Sequence, residues 1–299
     1  MKHSKLYYLT HPSVTIPILL AMVSDKYAIQ TQWKKSMDYP LNLDNPRTYN
    51  EKIQWLKLYD RRPEYTQMVD KVGAKEFAAK RIGEQYIIPT IGVWNRPEDI
   101  PWDELPNQFV IKLTHDSGSV IICKEKKNLN IQEVCTKLSK GLKQDYYRVC
   151  REWPYKNVKH RIIVEQYMVD ESGYELKDYK FFCFNGEPKI MFIASDREVE
   201  GEEIKMDFFD MNFRLLPFNK GGHKNAPITP VKPKCFEQMV ELARKLSDGI
   251  PHVRVDFYNI NGHIYFGELT FYSGSGFVRH EPMEWDEKIG ELLTLPNKQ

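Results

Sequence analysis

The 299-residue sequence lacks the features that mark several classes of protein. Its five cysteines are scattered and form no CxxC pair, which argues against a disulfide framework or a zinc site and favours a reducing, cytoplasmic compartment. The net charge is only +2 with both signs interspersed, so no nucleic-acid partner is expected. There is no low-complexity tract, no internal repeat, no GxxxxGK[ST] loop and no DxD motif. What remains is an ordinary globular composition, long enough for one large or two modest domains.

The apolar stretch at residues 14–23 is too short to span a bilayer. Lys2 and Lys5 precede it as in a secretion signal, but it contains Pro17 and no A-x-A cleavage site follows. We expect it to form a helix that packs on the body of the protein. Docking to a membrane-bound partner is the alternative.

The order of the predicted elements indicates an α+β fold with mixed and antiparallel sheets. Residues 1–65 are predicted to be mainly helical. Residues 66–84 are predicted to form one helix with Met68, Val72, Ala79 and Ile82 on one face and Gly83 at its end. Further along the chain we predict strands in 86–94, 109–113 and 119–124, a helix over 131–149, a strand over 161–168, a hairpin over 179–195 turning at Asn185-Gly186, and a helix over 234–246.

Residues 253–270 contain two strand-like runs, and each carries a carboxylate in its middle, Asp256 or Glu268. Acidic residues are disfavoured in strands and rarely buried unless paired or bound to a metal. The register of the hairpin decides whether the two can cooperate. A three-residue loop at 260–262, with Gly262 in a left-handed bulge, would put Asn259 opposite His263, Asp256 opposite Phe266 and Arg254 opposite Glu268.

This register separates apolar from polar side chains, whereas a two-residue loop at Asn261-Gly262 mixes them, so we predict the three-residue loop. The predicted core face carries Val253, Val255, Phe257, Tyr265, Leu269 and Phe271, and the other face carries Arg254, Asp256, Glu268 and Thr270. Two carboxylates and an arginine on one face suit a hard cation and a phosphate. A partly exposed salt-bridge cluster is the alternative.

Three other segments carry candidate binding residues. Lys112 lies mid-strand just before a turn of small residues, 117–119, whose backbone amides could approach a phosphate, although a plain turn is the alternative. Residues 165–168 end a strand and could face an adenine, or simply turn into solvent. Asp178 and Lys180 share a strand face, where a snorkelling lysine is the alternative.

The order of these pieces resembles the ATP-grasp superfamily and, within it, the teichuronopeptide-biosynthesis (TupA-like) family of bacterial surface-polysaccharide clusters. The resemblance covers nearly the whole chain and is carried by "NPRTYNEKIQWLKLYDRRPEYTQMVDK", "IGEQYIIPTIGVW", "LPNQFVIKLTHDSGSVII", "DYKFFCFNGEP" and "VRVDFYNINGHIYFGELTF". It implies two α+β subdomains that sandwich ATP. The expected segments are a helical extension (1–65), an ATP-grasp-associated segment (66–108), a lid subdomain (109–168) and a C-terminal subdomain with the metal site (169–299).

The resemblance also implies roles for individual residues. Lysines would contact the phosphates, the turn 117–119 would cover them, residues 165–168 would flank adenine, and Asp178 would lie near the ribose. The implied ATP-binding set is Lys71, Lys112, Ser117, Gly118, Ser119, Glu165, Gln166, Tyr167, Met168, Asp178 and Lys180. Asp256 and Glu268 would hold Mg²⁺, with Thr270 where many superfamily members have asparagine. Arg254, Lys180 and Arg279 would act in catalysis, and residues 271–277 (FYSGSGF) would help to form the acceptor pocket.

The implied activity is that of an ADP-forming carboxylate–amine ligase of surface-polysaccharide assembly. It would join an amine or amino acid to a uronic acid through an acyl phosphate, with possible peripheral association to membrane-bound assembly proteins. Two alternatives remain open: a glycosyltransferase, which should bind a nucleotide sugar and be indifferent to ATP, and a catalytically silent nucleotide-binding protein.

Overall fold

The computed structural model describes residues 24–173, 175–196 and 203–298. The stretch at 14–23, expected to be a helix, lies outside these ranges. Within them, no helix combines the length and the apolar character needed to cross a membrane.

The described residues form helices and two main antiparallel sheets. The helices are α1 (Asp25–Ser36), α2 (Tyr49–Tyr59), α3 (Glu64–Val69), α4 (Lys71–Ile82), α5 (Ile131–Gly141), α6 (Tyr147–Cys150), α7 (Phe236–Ser247) and α8 (Glu284–Glu291). The strands are β1 (Thr90–Trp94), β2 (Phe109–Leu113), β3 (Ile121–Cys123), β4 (Ile162–Gln166), β5 (Asp178–Phe184), β6 (Glu187–Ser195), β7 (Lys205–Asp210), β8 (Asn219–Lys220), β9 (His252–Ile260), β10 (His263–Thr270) and β11 (His280–Glu281).

The prediction of a single helix over 66–84 is wrong, because the chain breaks at Asp70 into α3 and α4. Asp70 is extended, and its carboxylate accepts a hydrogen bond from Arg161 Nη2 at 2.5 Å. The next amide, Lys71 N, donates to the carbonyl of Thr114 at 3.1 Å. These bonds to distant segments override the local helical pattern. As a result Ala78, not the predicted Ala79, lies on the buried face of α4.

The smaller sheet has the order β1-β4-β2-β3 and packs on α5. The helix predicted over 131–149 is also wrong, because α5 ends at Gly141 and only the short α6 follows. The carbonyls of Gly141 and Leu142 accept hydrogen bonds from the rings of His115 and His160, at 3.3 and 2.8 Å. The end of α5 is thereby tied to the loop after β2.

The larger sheet has the order β10-β9-β5-β6-β7. The β5–β6 hairpin turns at Asn185-Gly186 as predicted, whereas β7 and α8 were not predicted. Helix α7 covers one face with Phe236, Met239, Ala243 and Leu246, all fully buried. The opposite face carries the polar side chains of β5, β9 and β10.

The predicted three-residue loop between β9 and β10 is wrong. Ile260 pairs with His263 around a two-residue turn in which Asn261 and Gly262 are both left-handed, with φ of 51° and 86°. Beyond the turn, Phe257 pairs with Phe266, and Asn259 pairs with Ile264. Consequently Phe266, not the predicted Tyr265, fills the core.

A β-bulge at Gly267 then shifts the register, so that Asp256 pairs with Glu268 and Arg254 with Thr270. The predicted pairs of Asp256 with Phe266 and of Arg254 with Glu268 are therefore wrong. A Cβ at Gly267 would lie only 3.1 Å from the carbonyl oxygen of Asp256, which favours glycine at the bulge. Because of the bulge, Arg254, Asp256, Glu268 and Thr270 still share one face of the hairpin, as predicted.

Candidate functional site

The polar face of the larger sheet is centred on Asp256, whose side chain is only 1% exposed. Arg254 binds it with two nitrogens, Nε to Oδ1 and Nη2 to Oδ2, each at 2.6 Å. Lys180 lies directly across on β5, donates to the same carboxylate and also bonds Asp178 Oδ1 at 3.0 Å. The cross-strand pairing of β5 and β9 thus holds two cations against one buried carboxylate.

Glu268 completes this cluster on the open side. Its side chain is 47% exposed, and it accepts hydrogen bonds from Arg254 Nη2 at 3.0 Å and Thr270 Oγ1 at 3.2 Å. Partial desolvation beside the sheet raises the pKa of this carboxyl, but four cations outweigh that effect and lower the pKa to about 2. They are Lys180 and Arg254 of the larger sheet, and Lys71 and Lys112 from α4 and the smaller sheet. We call the space between these two sets of charges the inter-sheet cleft.

The smaller sheet contributes a buried ion-pair triad to the cleft. Glu165 on β4 pairs with Lys112 on the neighbouring strand at 2.7 Å and with Lys75 on α4. Lys75 also donates to Ile88 O and Thr90 Oγ1, both at 2.8 Å. Sequence reasoning missed Lys75, although its position one helical turn after Lys71 could have indicated it.

Two hydrogen bonds fix Asp116 in the loop after β2. Lys71 Nζ donates to the carbonyl of Asp116, and Ser119 Oγ donates to the Asp116 carboxylate at 2.5 Å. Gly118 has φ of 95°, and a Cβ there would meet nothing within 4 Å. Its backbone therefore borders open space that a ligand could approach. Burial lowers the pKa of Lys71, with Asp116 and Glu268 opposing that effect.

Some predicted site residues lie apart from this cluster. Arg279 pairs with Asp38 at 3.0 Å and donates to Ser36 O at 3.3 Å, so it faces the N-terminal helical region. Gln166, Tyr167 and Met168 follow the triad at the end of β4, where the Gln166 side chain is exposed. The Glu165 side chain points to the two lysines. Its adenine-flanking role remains a prediction, as do the other assigned roles.

Two polar residues lie beside Arg254: Ser273, which belongs to the predicted acceptor segment 271–277, and Lys220, which sequence reasoning missed. Ser273 Oγ accepts hydrogen bonds from Arg254 Nη1 at 3.3 Å and from Lys220 Nζ at 3.0 Å. Burial, reinforced by the charge of Arg254, lowers the pKa of Lys220 to about 7. Lys220 comes from β8, which lies in the Gly- and Pro-rich stretch where no element was predicted, so only the fold reveals its position.

The comparison with protein families decides the identity of the fold. A model of the TupA-like ATP-grasp family matches residues 51–294. The chain belongs to the TupA-like ATP-grasp family. That match contains every candidate residue of the inter-sheet cleft. It confirms the resemblance and the predicted ATP-grasp α+β fold class.

Solved structures of ATP-grasp ligases are similar to this family member at low identity. They include D-alanine–D-alanine ligase from Helicobacter pylori (16% identity, 82% of this chain, 69% of that chain, TM-score 0.43) and from Bacillus anthracis, complexed with ATP (13%, 68%, 53%, 0.39). A third is the ligase PsnB complexed with a minimal precursor, Mg and ADP (10%, 74%, 57%, 0.38). The chain spans about half the length of the last two, 53% and 57%. No curated protein matches the chain.

Acid should weaken the ion-pair triad of Glu165, Lys75 and Lys112. Burial raises the pKa of Glu165, but Lys112 and Lys75 outweigh it and lower the pKa from 4.5 to about 2. Its charged form therefore stabilises the fold above pH 4.5, and this contribution is lost as the pH falls towards 2. Glu165→Gln should lower the unfolding free energy by on the order of 3 kcal/mol at pH 7 and by clearly less at pH 3.5, measured by urea denaturation. An equal loss at both pH values would contradict the pairing.

Proposed function

We propose that this TupA-like ATP-grasp protein is an ADP-forming carboxylate–amine ligase of bacterial surface-polysaccharide assembly. The observation that carries the proposal is the inter-sheet cleft, where cations from two structural layers converge on the half-exposed carboxylate of Glu268. The family to which the chain belongs supports ATP as the nucleotide. The preferred acid is a uronic acid, and the nucleophile is an amino acid or another amine.

The cations of the cleft suit the phosphates of ATP. Lys112 and Lys71 lie on the side of the smaller sheet, and Lys71 bonds the loop that contains the open backbone at Gly118. Lysine ammonium groups act as point charges for phosphate, and backbone amides beside small residues can approach it closely. When the phosphate binds, Lys112 can exchange part of its contact with Glu165 for the ligand, because Lys75 remains as the second partner of that carboxylate.

Asp256 and Glu268 fit a magnesium ion carried by the nucleotide, because Mg²⁺ is usually held by one or two carboxylates together with substrate phosphates and water. Among the described residues no group of three or more His, Cys, Asp or Glu side chains is placed to hold a metal ion. When bound at Glu268 and Asp256, with the Thr270 hydroxyl nearby, the ion would neutralise phosphate charge. Asp256 would have to give up part of its contact with Arg254 or Lys180.

Arg254 and Lys180 would stabilise the charge that moves during phosphoryl transfer. Arg254 contacts both carboxylates and also donates to Ser273 Oγ of the segment 271–277, where we place the acid substrate. The acid's carboxylate would attack the γ-phosphorus of ATP, ADP would leave, and an amine would then displace phosphate from the acyl phosphate. Closure of the loop around Gly118 would protect that intermediate from water.

Mass spectrometry can test the reaction with uronic acids, a panel of amino acids and ATP. We expect ADP, inorganic phosphate and an amide one water lighter than acid plus amine. A new glycosidic bond formed from a nucleotide sugar, with ATP ignored, would establish the glycosyltransferase alternative. Tight ATP binding without any product from the panel would favour the silent nucleotide-binding protein.

Lys112→Ala should weaken ATP binding about tenfold or more, because a hydrogen bond to a charged group contributes about 1.5–3 kcal/mol. Isothermal titration calorimetry with ATP and Mg²⁺ measures this loss. Lys137→Ala is the matched control, because Lys137 is 65% exposed on α5 and pairs with Glu133 of the preceding helical turn. Equal ATP affinity in wild type and Lys112→Ala would remove Lys112 from the nucleotide site.

A further inference from the structure

One buried carboxylate near the cleft, Glu152, has no role in the steps above. It is 6% exposed and precedes the 3-10 turn Trp153–Asn157. Its side chain hydrogen-bonds Ser275, and it lies within electrostatic range of Arg254 and Glu268. A buried carboxylate needs hydrogen bonds or a positive charge to be stable in its ionised form. Glu152 therefore lies beside Ser275 of the acceptor segment 271–277 and within electrostatic range of Arg254.

Lys57 is the cation with the largest electrostatic effect on Glu152, but its ammonium group donates its hydrogen bonds to other acceptors. This fully buried lysine of α2 donates to Cys150 O at 3.0 Å, Ser275 O at 2.6 Å and Ser275 Oγ at 2.7 Å. An ammonium group has three hydrogens, so these contacts account for its donors. Lys57 therefore acts on Glu152 through its charge, while its hydrogen bonds go to Cys150 and Ser275.

The contacts of Lys57 also hold an unusual turn in place. Gly274, Ser275 and Gly276 are all left-handed, and Ser275 adopts this conformation with φ of 54° although it has a side chain. Such a residue persists only where its surroundings fix it, and such residues cluster at functional sites. The turn fixes the Ser275 hydroxyl between Lys57 and Glu152.

We propose that Glu152 binds the ammonium group of the amine co-substrate and removes its proton, with Ser275 positioning the carboxylate. This inference rests on the proposed ligase function and extends it to the binding of the nucleophile. An amine reaches the site as R–NH₃⁺, and a proton must leave nitrogen before its lone pair can attack.

Amide formation moves two protons and exchanges one bond at the acyl carbon. One proton moves from nitrogen to a Glu152 oxygen, and the nitrogen lone pair forms the C–N bond at the acyl carbon. The C–O bond to phosphate breaks, and phosphate leaves with that electron pair and takes the second nitrogen proton. Burial raises the pKa of Glu152, which brings it closer to the working pH and improves it as a base.

Other ionisable groups face Glu152 from the elements around it, and the test must separate its effect from theirs. They are Lys57, Tyr146, Cys150, Tyr155, Arg254, Glu268 and Tyr272. A change confined to Glu152 and read out through nucleophiles of different charge makes this separation.

Glu152→Gln removes the charge and keeps the shape of the side chain. It should be assayed with ATP, Mg²⁺ and d-glucuronate, or the acid identified by the product screen, with two nucleophiles of similar size. Ammonium chloride supplies a cation that must lose a proton, whereas hydroxylamine is uncharged at neutral pH and forms a coloured hydroxamate. We expect kcat/KM for ammonium to fall about 10²-fold and hydroxamate formation to stay within about twofold of wild type. Glu152→Asp should recover part of the ammonium activity.

Glu287→Gln is the control, because Glu287 is an exposed glutamate on α8, and both of its rates should match wild type. Equal losses with the two nucleophiles, or loss of ATP binding, would make Glu152 a structural partner of Lys57 and overturn the assignment. If wild type forms hydroxamate and Glu152→Gln uses ammonium normally, only this inference fails. If wild type forms no hydroxamate, the proposed function fails and this inference fails with it.

Discussion

Glu268→Gln is expected to lower kcat by about 10²-fold or more while leaving the fold almost unchanged. Glu268 is the open member of the charge cluster, and removal of one electrostatic contact to a reacting group commonly costs this much. Its side chain is 47% exposed, so we expect the unfolding free energy to change by about 1 kcal/mol or less. ADP release and urea denaturation of the same preparation measure the two quantities.

The matched control for this variant is Glu133→Gln, which replaces an exposed glutamate of α5 that pairs with Lys137. Its kcat should equal that of wild type. A folded Glu268→Gln protein with near-normal kcat would show that the cluster on the larger sheet does not take part in the reaction.

Asp256→Asn should add a large loss of stability to the loss of activity expected for a magnesium ligand. Asp256 is 1% exposed and pairs with both Arg254 and Lys180, so its loss removes the shared counter-charge of two largely buried cations, which keep Glu268 and Asp178 as partners. Breaking a buried ion pair by removing one partner typically costs about 3–5 kcal/mol. We expect a decrease of this size in the unfolding free energy, measured by urea denaturation at pH 7.

A second substitution separates the loss of charge from the loss of packing. The double variant Asp256→Asn/Arg254→Met also removes the cation at position 254, while Lys180 retains its ion pair with Asp178. The double variant should lose clearly less stability than the sum of the two single variants. Additive losses would contradict the view that Asp256 acts mainly as a counter-charge.

The alternation of the hairpin sequence was enough to predict which side chains share a face, but not how they come to share it. The pattern was interpreted with one constant period, and this assigned Tyr265 to the core. In the structure the turn has two residues, and Gly267 inserts a bulge that resets the period for Glu268 and Thr270. A glycine within a strand is a signal for a bulge, and it could have suggested this solution.

Contacts between distant segments could not be predicted in the same way. The break at Asp70 depends on Arg161 and Thr114, which lie far along the chain. Helical periodicity contains no information about such partners. In the sequence, Lys57 and Glu152 look like ordinary surface residues. They are buried together because α2 packs against both the segment before Val158 and the turn at Ser275.

Oxygen transfer tests the central claim, activation of a carboxylate by ATP, most directly. The acid substrate is labelled with ¹⁸O in its carboxylate and incubated with the protein, ATP, Mg²⁺ and the amine. Attack of the carboxylate on the γ-phosphorus predicts that one labelled oxygen appears in inorganic phosphate, which mass spectrometry detects. Label in AMP, or product formation with no label in phosphate, would contradict the mechanism.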